Sequence, residues 1–197
     1  FARYIPLLQD RVDSVVFKVQ PVLANLMTSL KGIDSLWLDE EDVPDFDAHV
    51  PLMNLPAIFR AQEGTIPQTG GYLRLEGEEP TWIPEAFSRG SGLKRVGIVW
   101  AGNPKQANDR RRSCPFEVLK PLIQRADIQW FGLQKGPANQ VLQTTEWADS
   151  VVDLGSRFVD FRDTGFAMRR LDALISVDTS SAHLAGSLGL PFWLMLS

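Results

Sequence analysis

Apolar residues at positions 1, 4, 5, 7 and 8 of the opening FARYIPLL fall on one face of a helix. Residues 14–19 form a short β-rich run. Pro21 then suits the first position of a helix, and VLANLMTSL supplies that helix with an apolar face. Gly32 is expected to end it, and residues 35–38 read as another strand. This β-α-β order favours a parallel sheet. Residues 39–47 are acidic and irregular. Residues 48–59 are apolar but broken by Pro51 and Pro56, and read as strand and loop. Residues 60–92, with GTIPQTGGYL and EGEEPTWIPEAF, have the Gly and Pro content of a connector and mark the expected domain boundary.

A second rhythm follows. Strands are expected at 95–100, 128–133, 150–154, 173–177 and 192–196, and helices at 115–124, 137–145, 161–170 and 181–188. Two successive α/β runs joined by a connector imply an α/β protein of two Rossmann-like domains with parallel sheets facing a cleft, divided as 1–88 and 89–197.

Composition narrows the function classes. The chain has 197 residues, 44% apolar and 22% charged, as a globular protein has. A net charge of −4 gives no bulk reason to expect nucleic acid or an anionic membrane as partner. A single cysteine, Cys114, cannot form an internal disulfide, which fits a reducing compartment, so a cytoplasmic location is expected. No apolar run reaches the roughly 18–20 residues of a membrane-spanning helix, and the start lacks the basic and apolar regions of a signal peptide. Both ends read as cut, so a piece of a longer protein is expected.

Candidate chemistry collects where expected strands end. In ALISVDTSSAHLAG, a buried strand runs into Asp178 and Thr179, then into a helix opening with Ser180 and Ser181 and carrying His183. A helix start offers unbonded N–H groups and a positive dipole end to a phosphate. In VGIVWAGNPKQANDRRRSCP, a strand ends at Gly102 and Asn103, and the following loop carries Asp109, Arg110, Arg111, Arg112 and Ser113. Guanidinium groups before a helix suit a pyrophosphate, and the same run also reads as a solvated charged loop. In FGLQKG, Gln134 can read a base or ribose, whereas Lys135 reads as part of a turn closed by Gly136. Asp160 or Asp163 can cap the helix that follows them or reach a ribose, and Asp172 belongs to the turn before the next strand. Two histidines, His49 and His183, and one cysteine without ligand spacing argue against a metal site. Neither GxGxxG, GxxxxGK[ST] nor GxSxG occurs in the expected context, against a dinucleotide dehydrogenase, a P-loop enzyme and an α/β-hydrolase.

Together VGIVWAGNPKQANDRRRS, WFGLQKG, VDFRDT and LDALISVDTSSAHLAGSLGLPFWLML resemble the glycosyltransferase region of bacterial tetratricopeptide-repeat proteins. That region is similar to glycosyltransferase family 9, the ADP-heptose:lipopolysaccharide heptosyltransferases. The resemblance implies a GT-B fold and metal-independent, inverting transfer of a sugar, of hexosyl or heptosyl type, from a nucleotide-diphosphate donor to an unknown acceptor. Carried across, Asp178, Thr179, Ser180 and His183 hold the diphosphate and ribose side of the donor. Arg112 stands where the family has a phosphate-binding lysine, with Ser113 beside it. Gly102 and Asn103 line the donor loop, and Gln134 lies near the nucleoside. The family's acidic general base falls before Phe1, so no residue here inherits the role; Asp10 and Asp13 lie too far along. The resemblance therefore implies that this chain alone is inactive. A non-catalytic nucleotide or nucleotide-sugar binding module remains the alternative.

Overall fold

The computed structural model describes residues 1–38, 42, 44–67, 70–88 and 92–196. The chain forms two compact units, Phe1–Glu76 and Gly77–Ser197. Residue 89, where the expected boundary begins, and part of the acidic 39–47 stretch lie outside the described residues.

The first unit opens with a 3-10 helix, Ala2–Asp10, that buries Ala2, Tyr4 and Ile5 and leaves Phe1 and Leu7 exposed. Pro6 lies inside it and has no N–H to give an α-helical ladder, which accounts for the 3-10 form. Strand β1 (Val16–Val19), helix α1 (Pro21–Met27) and strand β2 (Ser35–Leu38) make the expected parallel β-α-β, in the register Val16 to Ser35 through Val19 to Leu38. Helix α1 ends at Met27, earlier than expected, and Gly32 serves the turn into β2. Its φ is +84°, and a Cβ there would stand 2.7 Å from Pro6 Cα, so only glycine fits. Residues 48–59 are not strand. A 3-10 turn, Leu52–Asn54, runs into helix α2 (Leu55–Ile58), with Pro56 in the first turn, where a missing N–H is harmless. The described part of this unit thus shows one two-stranded parallel sheet.

In the larger unit, helix α3 (Trp82–Ala86) precedes strands β3 (Lys94–Val99), β4 (Ile128–Gly132), β5 (Val151–Asp153), β6 (Ala173–Val177) and β7 (Phe192–Met195). All pairs are parallel, in the order β5-β4-β3-β6-β7. All five strands fall where the apolar runs placed them. The connecting helices are α4 (Asp109–Arg112), α5 (Lys120–Ile123), α6 (Val141–Thr144), α7 (Phe161–Met168) and α8 (Ser180–Leu188). The single helices expected over 115–124 and 137–145 each split, a 3-10 turn leading into α5 and α6. Pro121 in the first turn of α5 breaks the ladder in the first of these.

The core is aromatic on one face. Trp100 meets Phe116 at 4.6 Å between ring centroids, and Phe116 stacks on Trp147 at 4.8 Å. Across the sheet Phe87 stacks on Phe131 at 4.1 Å. Gly97 leaves room for Leu171, Leu133 and Leu174; a Cβ there would stand 2.6 Å from Leu171 Cδ1.

The chain runs outward from β3 through β4 to β5, then crosses back to β6 on the other side of β3 and continues to β7. The strand order therefore reverses between β3 and β6. Ligands of open α/β sheets bind outside the carboxyl ends of the strands at such a switch point.

Candidate functional site

Beyond the carboxyl end of β3, the backbone of Trp100, Ala101 and Gly102 is held at every N–H. The Gln134 side-chain oxygen accepts from Trp100 N at 3.2 Å and Ala101 N at 2.9 Å, and Ser113 Oγ accepts from Gly102 N at 3.0 Å. Cys114 N donates to Trp100 O at 2.8 Å. These N–H groups are thus not offered to a ligand. Ser113 and Gln134 support the loop from within, and Gln134 is only 4% exposed. Its amide nitrogen donates to Lys135 O at 3.1 Å. Asn103 is exposed and accepts from Lys105 N at 3.0 Å, closing a short turn.

Arg112 crosses from this loop to β6. Its Nε donates to Asp109 Oδ1 at 3.1 Å, and its Nη1 donates to Asp178 O at 3.3 Å. The Asp109–Arg112 pair is packed against Gly102. A Cβ on Gly102 would stand 2.5 Å from Arg112 Nε and Nη2 and collide with Asp109 Oδ1. Glycine is required here so that a guanidinium can lie on the backbone. Arg110 and Arg111 are exposed.

Near the carboxyl end of β6, Ser176 is fully buried. Its hydroxyl donates to Val177 O at 2.8 Å and lies 3.3 Å from Thr179 Oγ1. Thr179 occupies the N-cap position of α8 without capping through its side chain. Its hydroxyl turns inward, 3.4 Å from Val177 O. Thr179 O accepts from Ala182 N and His183 N, which leaves the N–H groups of Ser180 and Ser181 without intrahelical acceptors. His183 Nε2 lies 3.8 Å from Asp178 Oδ1, with the two side chains 80% and 56% exposed. An exposed pair at that distance is worth little by itself.

Gly102, Arg112, Ser113, Asp178, Thr179, Ser180 and His183 thus meet at the switch point between β3 and β6. What they present outward is a partly covered guanidinium beside the positive end of α8, a set of donors suited to an anion. Gln134 joins them through the loop it holds. Asp160 does not. It caps α7, accepting from Arg162 N at 2.8 Å and Asp163 N at 3.1 Å, while Asp163 ties back to Val159 N at 2.9 Å. Lys135 Nζ donates to the carbonyls of Phe158 and Val159. Asp172 sits in the turn before β6, where the Arg95 N–H bonded to it holds its carboxyl below the usual carboxylate range. Among the described residues no three His, Cys, Asp or Glu side chains converge as metal ligands, and no helix is long and apolar enough to cross a membrane.

Three residues escaped the sequence reading or were undervalued by it. Asp109 is the partner that aims Arg112, and its spacing three residues ahead was a usable signal. Ser176, a hydroxyl in the apolar run ALISV, was another. Gly155 gave none: a Cβ there would stand 2.5 Å from the Gln134 carbonyl carbon.

A cavity of about 420 Å³ lies at the opposite, amino edge of the sheet, lined by Gly92, Leu93, Arg95 and residues 169–172. Two of its arginines are engaged, Arg170 with Glu79 and Arg95 with Phe87 O at 3.2 Å. It lies away from the chemistry at the carboxyl edge.

No protein-family model matches the chain. Protein FlbA of Caulobacter vibrioides is 24% identical over 121 residues, 58% of this chain and 20% of that protein. The chain therefore spans about a fifth of the length of this curated relative. Among solved structures, the E. coli ADP-heptose lps heptosyltransferase II superposes with a TM-score of 0.60, covering 98% of this chain and 79% of that one at 13% identity. That likeness is one of fold: an α/β protein with parallel sheets, on the heptosyltransferase plan.

Proposed function

We propose, from the heptosyltransferase fold and the guanidinium locked at its switch point, that this chain is the donor-binding part of a glycosyltransferase. The donor is a nucleoside diphosphate sugar and the transfer is inverting and metal-independent. The observation that carries the reading is Arg112, fixed between Asp109 and the Asp178 carbonyl beside the first turn of α8. In glycosyl transfer the bond from the anomeric carbon to the diphosphate oxygen breaks, and negative charge grows on the departing diphosphate. Without a metal, preorganised donors must stabilise it. Arg112 and the N–H groups of Ser180 and Ser181 are such donors. Gly102 lets the cation approach, Ser113 and Gln134 hold its loop, Asn103 borders it, and Thr179 turns the chain into α8. Asp178 aims Arg112 through its carbonyl, and His183, exposed at the rim, adds a further donor to the diphosphate.

The GT-B division into an acceptor side, 1–88, and a donor side, 89–197, belongs to this proposal. So do the cytoplasmic location and a parent chain with tetratricopeptide repeats. A second reading, binding without turnover, is favoured by one observation: Asp109, a carboxylate at the site, is already held by Arg112. Calorimetry with ADP, UDP, GDP, CDP and dTDP, and with their sugars, tests the binding step. No heat from any of them at about millimolar concentration sinks both readings. Hydrolysis of the bound donor by the full-length protein then separates enzyme from binding module.

A further inference from the structure

The chain of contacts that sets Arg112 begins two strands away, in residues with no reach to a ligand. Gln134 follows β4 and sits over the end of β3, where its oxygen takes two successive N–H groups, Trp100 and Ala101. Its own nitrogen is spent on Lys135 O. At 4% exposure the side chain faces inward, its oxygen taken by two amides and its nitrogen turned to Lys135 O. The backbone of Gln134 in turn rests against Gly155, just after β5, so closely that any Cβ there would strike the Gln134 carbonyl. Three neighbouring strand ends are thus linked: Gly155 seats Gln134, Gln134 fixes Trp100 and Ala101, and Gly102, next in line, is the surface on which the Asp109–Arg112 pair lies.

We infer that Gln134 is a positioning residue for the anion site, a clamp that sets Arg112 by fixing the β3 loop, and that Gly155 is the seat of that clamp. The inference rests on the donor-site reading for its functional meaning, but the clamp itself can be tested without a ligand. An unsatisfied buried N–H is costly, so removing the Gln134 oxygen frees two amides to seek water and lets the loop move. Such a shift leaves the sheet intact, since the β3–β4 and β3–β6 ladders use other groups.

The test compares wild type with Gln134→Met, which keeps volume and loses both hydrogen-bonding ends, and Gln134→Glu, which keeps the acceptor. Amide hydrogen exchange is read at Trp100 and Ala101 against Gly97 and Ile98. The Arg112 Nε–H resonance and the affinities for ADP and UDP are measured on the same samples. In the Met variant, protection at Trp100 and Ala101 is expected to fall at least about tenfold with Gly97 and Ile98 unchanged, the Arg112 resonance to move, and affinity to drop about tenfold. The Glu variant keeps protection at Trp100 and Ala101 within about threefold of wild type, and affinity is compared in the Met variant alone because a carboxylate facing Lys135 O adds negative charge near the anion site. Retained protection, or an unmoved Arg112 resonance in the Met variant, overturns the clamp. So does lost protection with wild-type affinity. If the Met variant does not fold, Gln134→Asn, which withdraws the same amide by one methylene, takes its place under the same criteria. If wild type binds neither nucleotide, the donor reading is in trouble, while the exchange and resonance measurements still decide the clamp.

Discussion

The two edges of the five-stranded sheet each carry an arginine–carboxylate pair, and the pairs are built differently. At the amino edge Arg170 grips Glu79 as a fork, Nε to Oε1 at 2.7 Å and Nη2 to Oε2 at 2.5 Å, so that both carboxylate oxygens are used. At the carboxyl edge Arg112 touches Asp109 through a single bond and spends a second on a backbone carbonyl. The first arrangement matches charge to charge and braces the α7 end to the segment before α3. The second aims a cation: one of its two bonds goes to a neutral carbonyl, so its charge is met by a single carboxylate contact. The difference lies in how fully a carboxylate matches each guanidinium, since exposure of the two is nearly the same, 32% and 29%.

Gly102→Ala should break the carboxyl-edge pair outright. The new methyl collides with Asp109 and Arg112, so nucleoside diphosphate affinity is expected to fall on the order of a hundredfold, about 2.7 kcal/mol, in calorimetry. Near wild-type binding would mean that the guanidinium need not lie on the backbone.

Glu79→Gln sharpens the other side of the comparison. It is expected to lower stability by about 1 kcal/mol at neutral pH while leaving nucleotide affinity unchanged. The hydrogen bond from Arg170 holds the Glu79 carboxyl below its usual value. Its contribution is therefore full above the ordinary glutamate range and fades as pH falls through the folded-state value. Urea unfolding of wild type and variant should differ at pH 7 and converge toward about pH 2. A difference that persists in acid would contradict the brace.

Asp160→Ala separates capping from ribose binding. Loss of the two N–H bonds at the start of α7 should cost about 1 kcal/mol and leave affinity for ADP and UDP alone. A loss of affinity with unchanged stability would return Asp160 to the site. The smallest effect is expected from Arg110→Ala with Arg111→Ala, within about 0.5 kcal/mol in stability and confined to low salt in binding.

Much of this was legible in the sequence, for a physical reason. Strands of a parallel sheet are buried on both faces and read as continuous apolar runs between turn residues, which is why 95–100, 128–133 and 173–177 could be placed. Helices were less legible because short ones bend to their prolines, as Pro6, Pro56 and Pro121 did. At the site, Gly102, Arg112, Asp178 and Thr179 could be read because strand ends and helix starts have their own composition. Gln134 could be placed at a strand end but not oriented, since sequence does not say which way a side chain turns. Gly155 acts only through a backbone approach between residues far apart in the chain, and nothing in its neighbourhood announces that.

The contrast between the two arginines is tested most directly by one titration series: ADP and UDP into wild type, Arg112→Ala and Arg170→Ala, with folding checked by thermal unfolding. The expected result is loss of binding in Arg112→Ala at an unchanged melting temperature, and wild-type binding at a lowered melting temperature in Arg170→Ala. Equal effects of the two substitutions on binding, or none from Arg112→Ala, would contradict an anion site at the carboxyl edge.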